Sequence, residues 1–394
     1  MLFLSIITKR DLKNLEWFYT HLIIRQFAIS MFGVFNSIYL FQIFTENHFN
    51  NVLSLSLTAS FFALVYLSQY LSINFAILTI NKFGLRRCML IGGVFTVLFF
   101  LVLYLGKYNL LFLPLSAVLG GLYLGFYYIA FHVYFTELTD DKAEGEEVAM
   151  GSILPSIVSI LGPIFAGFLI KLTGFGGVFI AMGIALITAN IPLKFIPDTK
   201  DTVRIKLASL LAPFALKRSY RNNLALSGFS VMEVTSAYLW PLFVFPILSG
   251  SFVQLGFVGS LVALIATFTT FLVGFLIDKI GAKKVLKILS IADCLVWILK
   301  IFTYTPFQSF AYSGIQALTI QGQGISIDTM VYKKSRDSEA TDPIIQREVN
   351  FALSKFLFFI LVTILFAIGL SLTVAFVIAA FATLLTTLYK DGKN

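Results

Sequence analysis

Seven ionisable residues stand inside long apolar stretches of this chain: Arg25, His132, Glu233, Asp293, Lys300, Asp328 and Lys355. A charge in lipid is expensive, so it ordinarily faces a partner or a water-filled cavity and marks a proton path or a solute site. A carboxylate such as Glu233 or Asp328 can take up and release a proton. A histidine such as His132 ordinarily changes charge near neutral pH and suits a proton relay. Arg25 presents a permanent fork of N–H donors for an anionic group. Each has a plainer reading as well. Glu233 can be a structural acid, neutral or paired with Lys355 near the same depth. Arg25 lies toward one end of its stretch, where it can reach out to the membrane surface or contact Glu233. His132 and Asp328 suit gate hydrogen bonds, and Asp293 and Lys300 suit packing.

Other chemistries lack their residues. Covalent or metal catalysis needs a nucleophile–base set or a ligand cluster at one depth. His21, His48 and His132 are instead scattered, and no His-Glu-x-x-His occurs. Cys88 and Cys294 have no partner by spacing, so free thiols and no metal site are expected. The acidic run Glu137–Glu147 departs from the order of a calcium loop and is expected to pair with basic loops. No enzyme activity and no cofactor is expected, a proton as coupling ion excepted.

These residues need membrane helices to position them. The chain is 58% hydrophobic and 12% charged, with a mean hydropathy of +0.89, whereas soluble domains run at about 25% charged. About twelve runs are long enough to span as helices. They lie near 16–44, 51–80, 86–105, 110–137, 148–172, 176–196, 223–248, 252–277, 283–303, 306–332, 344–369 and 371–389. Their length and lack of alternation exclude barrel strands. Met1–Ile7 lacks a cleavage site and is expected to be an interfacial lead-in rather than a signal peptide. Of the 29 Lys and Arg, Arg25, Lys300 and Lys355 fall within spans and only Lys107 and Lys171 in connections on one side. The positive-inside rule then puts both termini in the cytoplasm. The net charge of +9 follows from topology, and nucleic-acid binding is not expected.

One connection recurs. Gly274-Phe-Leu-Ile-Asp278-Lys279-Ile-Gly281-Ala-Lys283-Lys284 has a counterpart in Ile77-Leu-Thr-Ile-Asn81-Lys82-Phe-Gly84-Leu-Arg86-Arg87. Gly84 and Gly281 stand 197 positions apart, half of the 394-residue chain. Two six-helix halves are expected, 1–197 and 223–394. Between them, 198–222 reads as a cytoplasmic amphipathic helix with an apolar face at 203, 207, 210, 211 and 214, and Arg204, Lys206, Lys217 and Arg218 for lipid phosphates. A calmodulin-type partner helix is the sharper alternative.

Six spans, a basic linker, six more spans and this loop in both halves resemble the major facilitator superfamily. Around Phe126-Tyr-Tyr-Ile-Ala-Phe-His-Val-Tyr-Phe the chain is similar to uncharacterised bacterial members, which implies a bacterial inner membrane. The resemblance implies an all-α fold and a secondary transporter of a small solute, working as a monomer by rocking its halves. It also implies a cytoplasmic gate at Asn81, Gly84, Arg86, Arg87, Gly274, Asp278, Gly281, Lys283 and Lys284, in which the loop acid caps a helix of the opposite half. Asn81 replaces that acid in the first copy, and Ile77 its leading glycine, so the first latch is expected to be weaker. In the fifth span, Pro155…Gly162-Pro163-Ile-Phe-Ala-Gly167 is a partial form of the family's exchanger motif, with Val158 at a glycine position. The fourth span lacks the mid-membrane arginine of many proton-coupled exporters.

By the same resemblance the first, fourth, seventh and tenth spans line the cavity, which favours Arg25, His132, Glu233 and Asp328. Helical spacing puts Arg25, Phe32, Asn36 and Tyr39 on one face, Gly121, Gly125, Tyr128 and His132 on another, and Gly314, Gln321 and Asp328 on a third. Glu233 stands 197 positions after Asn36, so one repeat places a carboxylate where the other places an amide. Proton-coupled transport through Glu233, with Lys355 nearby, is the expectation; alternatives are an efflux exchanger for hydrophobic compounds and a non-transporting sensor or scaffold.

Overall fold

The computed structural model describes residues 9–138, 144–198, 206–207, 220–337 and 342–390, with side chains described from 16–135, 154–198, 206–207, 220–335 and 342–390. The lead-in at 1–7, nearly all of the linker helix at 198–222, and the side chains of the acidic run at 137–147 fall outside these residues. No strand occurs among the described residues. The helices are α1 (Lys9–Ser30), α2 (Asn36–Glu46), α3 (Asn51–Phe83), α4 (Leu85–Leu105), α5 (Phe112–Leu138), α6 (Glu144–Thr173) and α7 (Phe175–Ala189). The second half continues with α8 (Tyr220–Val234), α9 (Trp240–Ile247), α10 (Phe252–Ile280), α11 (Ala282–Ile301), α12 (Pro306–Asp337), α13 (Asp342–Ala367) and α14 (Thr373–Leu385).

The first and seventh spans are each two helices, not one. Between α1 and α2 the chain makes a tighter turn at Gly33–Phe35, where glycine is the weakest helix former of that stretch. Between α8 and α9 a wider turn covers Thr235–Leu239. Pro241 follows it, lacks an N–H, and its ring would press on the carbonyl four residues back, at Ala237; widening that turn makes room. The first break displaces the single face expected for Arg25 through Tyr39.

Among the described residues, nine helical segments are long and apolar enough to cross a membrane. The remaining three of the twelve expected runs are α11, which carries Lys283, Lys284, Lys287, Asp293 and Lys300, the Ser-, Gly- and Gln-rich α12, and the short α14. They complete the second half by packing on one another and on α8 and α10. Phe75, Phe268, Phe275 and Phe381 are exposed on the outside, as side chains that meet lipid should be. Gly84 and Gly281 join α3 to α4 and α10 to α11 with φ of 91° and 85°, a region that L side chains rarely adopt.

The halves, α1–α7 and α8–α14, meet along two seams, α3 against α13 and α6 against α10. In the second seam a Cβ on Gly256 would come within 2.5 Å of the Pro163 carbonyl oxygen. The Ile164 N–H there donates to Ser260 Oγ at 3.2 Å, so small residues let the two backbones touch.

Candidate functional site

Two layers of contact join the halves at different depths. The first is aromatic. Phe62 and Tyr66 of α3 meet Tyr238 of the wide turn and Phe359 of α13, with Phe62 and Tyr238 rings 4.0 Å apart and the two tyrosine hydroxyls 3.4 Å apart. The second is polar and lies toward the end of the bundle that carries the Gly84 and Gly281 turns. His132 Nδ1 is hydrogen-bonded to Tyr332 Oη at 2.8 Å and His132 Nε2 lies 3.8 Å from Glu348. Arg347 pairs with Asp328 and, at 2.9 Å, with Glu348.

Between these layers lies an ion pair, Lys355 Nζ to Glu233 Oε2 at 2.7 Å. Lys355 sits on α13 one turn from Phe359 and two turns from Glu348, which fixes its depth. The Lys355 side chain is 13% exposed and that of Glu233 41%. Lys355 stands over the rings of Tyr66 and Phe351 at 5.4 and 5.2 Å, so the pair faces the first half across Tyr66. The plainer reading of Lys355 as the partner of Glu233 is the one the geometry shows.

Arg25 is not near an end of the bundle. Its guanidinium carbon lies 3.6 Å from the ring centroid of Tyr127, and 5.7 and 5.5 Å from those of Tyr123 and Tyr128. All three are in the middle of α5, and Arg25 is 5% exposed, so its side chain does not reach the membrane surface. His21 Nδ1 is 2.7 Å from the Ala189 carbonyl oxygen, and its Nε2 is 2.8 Å from Tyr127 Oη. A carbonyl oxygen only accepts, so Nδ1 carries the hydrogen. Neutral His21 then accepts at Nε2, and Tyr127 donates to it. No carboxylate among the described residues pairs with Arg25, and its Nε and Nη2 have no hydrogen-bond partner.

The family model described as Major Facilitator Superfamily matches residues 23–339. The chain belongs to the major facilitator superfamily. No curated protein matches it. The superfamily is one of secondary transporters that take small-molecule substrates within the membrane, and this member is a multi-pass membrane protein.

The superfamily's loop motif is anchored unequally here. In the first copy Arg86 Nη1 donates to the carbonyls of Lys194 and Ile196 at 3.2 and 3.1 Å, and Arg86 and Arg87 each lie 3.4 Å from Asp198. These contacts stay within the first half. In the second copy Asp278, Lys283 and Lys284 are exposed, and Asp278 has no ion pair or hydrogen bond to a described residue. The capping of an opposite helix is therefore not seen among the described residues. Asn81 ends α3, and a side chain on Gly274 would meet nothing within 4 Å.

Of the other expected cavity residues, Tyr128 lies beside Arg25 and stacks with His132. Asn36 opens α2 with its Oδ1 unpartnered. Tyr39 departs from expectation: it is packed inside the first half against Phe175 and Phe179, and its hydroxyl donates to the Tyr104 carbonyl at 3.3 Å. Gln321 donates to Thr270 of α10 at 3.2 Å. Asp293 and Lys300, read as suited to packing, are fully buried within the second half. Asp293 accepts from Thr319 at 2.6 Å, and Lys300 bonds Gln316 beneath the rings of Trp240 and Trp297. Arg347 and Glu348, at the head of the expected run 344–369, and the tyrosines that cross between halves were not among the expected site residues.

Proposed function

We propose that the protein moves a small solute across a bacterial inner membrane by alternating access, coupled to protons through Glu233, with both termini cytoplasmic. The observation that carries this reading is the Glu233–Lys355 pair between two separate layers of inter-half contact. Rocking that opens the Phe62–Tyr238 layer exposes the pair from one end; rocking that opens the His132–Tyr332 layer exposes it from the other. A proton on Glu233 cancels its attraction for Lys355. The freed ammonium then interacts more strongly with the Tyr66 ring of the first half, or with solute. Proton occupancy thereby changes how strongly the halves are held together. His132 and Asp328, in the polar layer, lie on the route between Glu233 and the basic end. The distribution of Lys and Arg supports the cytoplasmic placement of that end.

The test is uptake into proteoliposomes under an imposed pH gradient, screened over sugars, amino acids, organic anions, peptides and cationic dyes. Glu233→Gln protein is expected to lose dependence on the gradient while still exchanging solute across the membrane. Undiminished pH-driven accumulation by that variant would refute proton coupling through Glu233.

A further inference from the structure

The geometry points to an organic oxyanion, a carboxylate or phosphate on an aromatic-sized body, as the solute, held by Arg25. This rests on the central region being the solute site. Arg25 carries a charge with no carboxylate counterpart among the described residues. A guanidinium stays protonated in proteins, and Arg25 is 5% exposed. The other buried arginine, Arg347, has Asp328 and Glu348, and Lys355 has Glu233. Lys300 has the buried Asp293 carboxylate within electrostatic range, whereas Arg25 has no carboxylate partner among the described residues. A buried, unpaired cation is strongly unfavourable unless something completes it.

The orientation of Arg25 says what completes it. One face of the guanidinium lies on the Tyr127 ring at 3.6 Å. That ring is fixed by its hydrogen bond to His21, which is itself fixed by the Ala189 carbonyl. Nε and Nη2 lie along a single edge of the guanidinium, and both are buried without a hydrogen-bond partner among the described residues. Two parallel N–H groups on one edge match the two oxygens of a carboxylate or phosphate. Tyr128 lies close enough to Arg25 for its hydroxyl to join them. Tyr128, beside the guanidinium, stacks on His132, which bonds Tyr332 of the opposite half. The surroundings of Arg25 therefore border the inter-half region, and the tyrosine rings offer flat walls to the remainder of the solute.

The experiment is thermal unfolding and titration calorimetry of the purified full chain with benzoate, phenyl phosphate and the uncharged benzamide. Benzoate or phenyl phosphate is expected to raise the unfolding temperature by binding the native state, with benzamide inert; which of the two is tighter separates carboxylate from phosphate. Arg25→Lys keeps the charge and loses the fork, and should bind at least about tenfold more weakly; Arg25→Gln should lose about a hundredfold or more. Equal effects of benzamide and benzoate, unchanged affinity in Arg25→Lys, or no response to either oxyanion at about 10 mM would each overturn the inference. The wild-type arm stands even if a variant fails to fold. Oxyanion binding without flux in proteoliposomes refutes transport alone. Flux of neutral or cationic solutes without oxyanion binding refutes this inference alone.

Discussion

The Glu233–Lys355 pair makes an asymmetric prediction. At 2.7 Å and an effective dielectric constant of about 20, the attraction is about 6 kcal/mol before desolvation. Desolvation cancels most of it, so the cost of breaking the pair depends on which partner is stranded. Lys355→Met leaves Glu233, whose side chain is 41% exposed and can rehydrate; about 1 kcal/mol is expected. Glu233→Gln leaves an ammonium that is 13% exposed, with only the faces of Tyr66 and Phe351 for compensation; about 2–3 kcal/mol is expected. The double variant should recover about 1–2 kcal/mol relative to the sum of the singles, because no charge is left stranded. Unfolding of purified protein in one detergent, followed by tryptophan fluorescence, measures all four species. A larger loss in Lys355→Met than in Glu233→Gln, or single effects that add within about 0.5 kcal/mol, would refute the reasoning.

The same logic orders the polar layer: Arg347→Gln strands Glu348, 7% exposed, and should cost about 3 kcal/mol, whereas Asp328→Asn, at a side chain 42% exposed, should cost about 1 kcal/mol or less; the reverse order in thermal unfolding would refute it. Gly256→Val should lower yield and unfolding temperature, because its Cβ would meet the Pro163 carbonyl at 2.5 Å, while Gly274→Val, with nothing within 4 Å, should unfold like the parent protein. Lys300→Met should be less stable than Lys300→Met/Asp293→Asn, because methionine fits between Trp240 and Trp297 but leaves the buried Asp293 carboxylate without its cation; equal stabilities would show that the two charges do not interact.

The fold was legible where local chemistry and the membrane act alone. Span length and charge bias announced the helices, and the repeated turn announced the halves, because φ near 90° at Gly84 and Gly281 has few residues able to adopt it. The site was less legible because depth depends on where a helix begins and breaks. Span one was read as one continuous helix, but it breaks between Ser30 and Asn36, and Arg25 sits opposite the middle of α5. Tyr39, beyond that break, turns into the first half instead. Arg347 and Glu348, at the head of the run 344–369, were not singled out, because in sequence nothing shows that they form a mutually neutralising set with Asp328 able to enter the bundle together. Asp293 and Lys300 were read as suited to packing, but their polar partners on α12, at matching turns, could not be named from sequence. Contacts across the halves carry no signal in a single sequence.

The repeat that builds the scaffold does not repeat the chemistry, and that asymmetry bears on coupling. Asn36 stands 197 positions before Glu233, but it follows the break in its span whereas Glu233 precedes its own. Arg25 and its tyrosines belong to α1 and α5, while Glu233 and Lys355 belong to α8 and α13. Were these charges all on one half, rocking would carry them as a rigid body. Their mutual energies would not change, and neither solute nor proton could bias the motion. On opposite halves, motion that separates Phe62 from Tyr238, or His132 from Tyr332, changes the distance between Arg25 and Glu233. An anion on Arg25 then alters the field at Glu233 differently in the two states, and a ligand shifts a conformational equilibrium only by such a difference. By linkage, a proton on Glu233 must alter the affinity for the anion by the same factor. Moving the carboxylate to the first half, as Asn36→Glu/Glu233→Gln, would keep the charges and remove that difference.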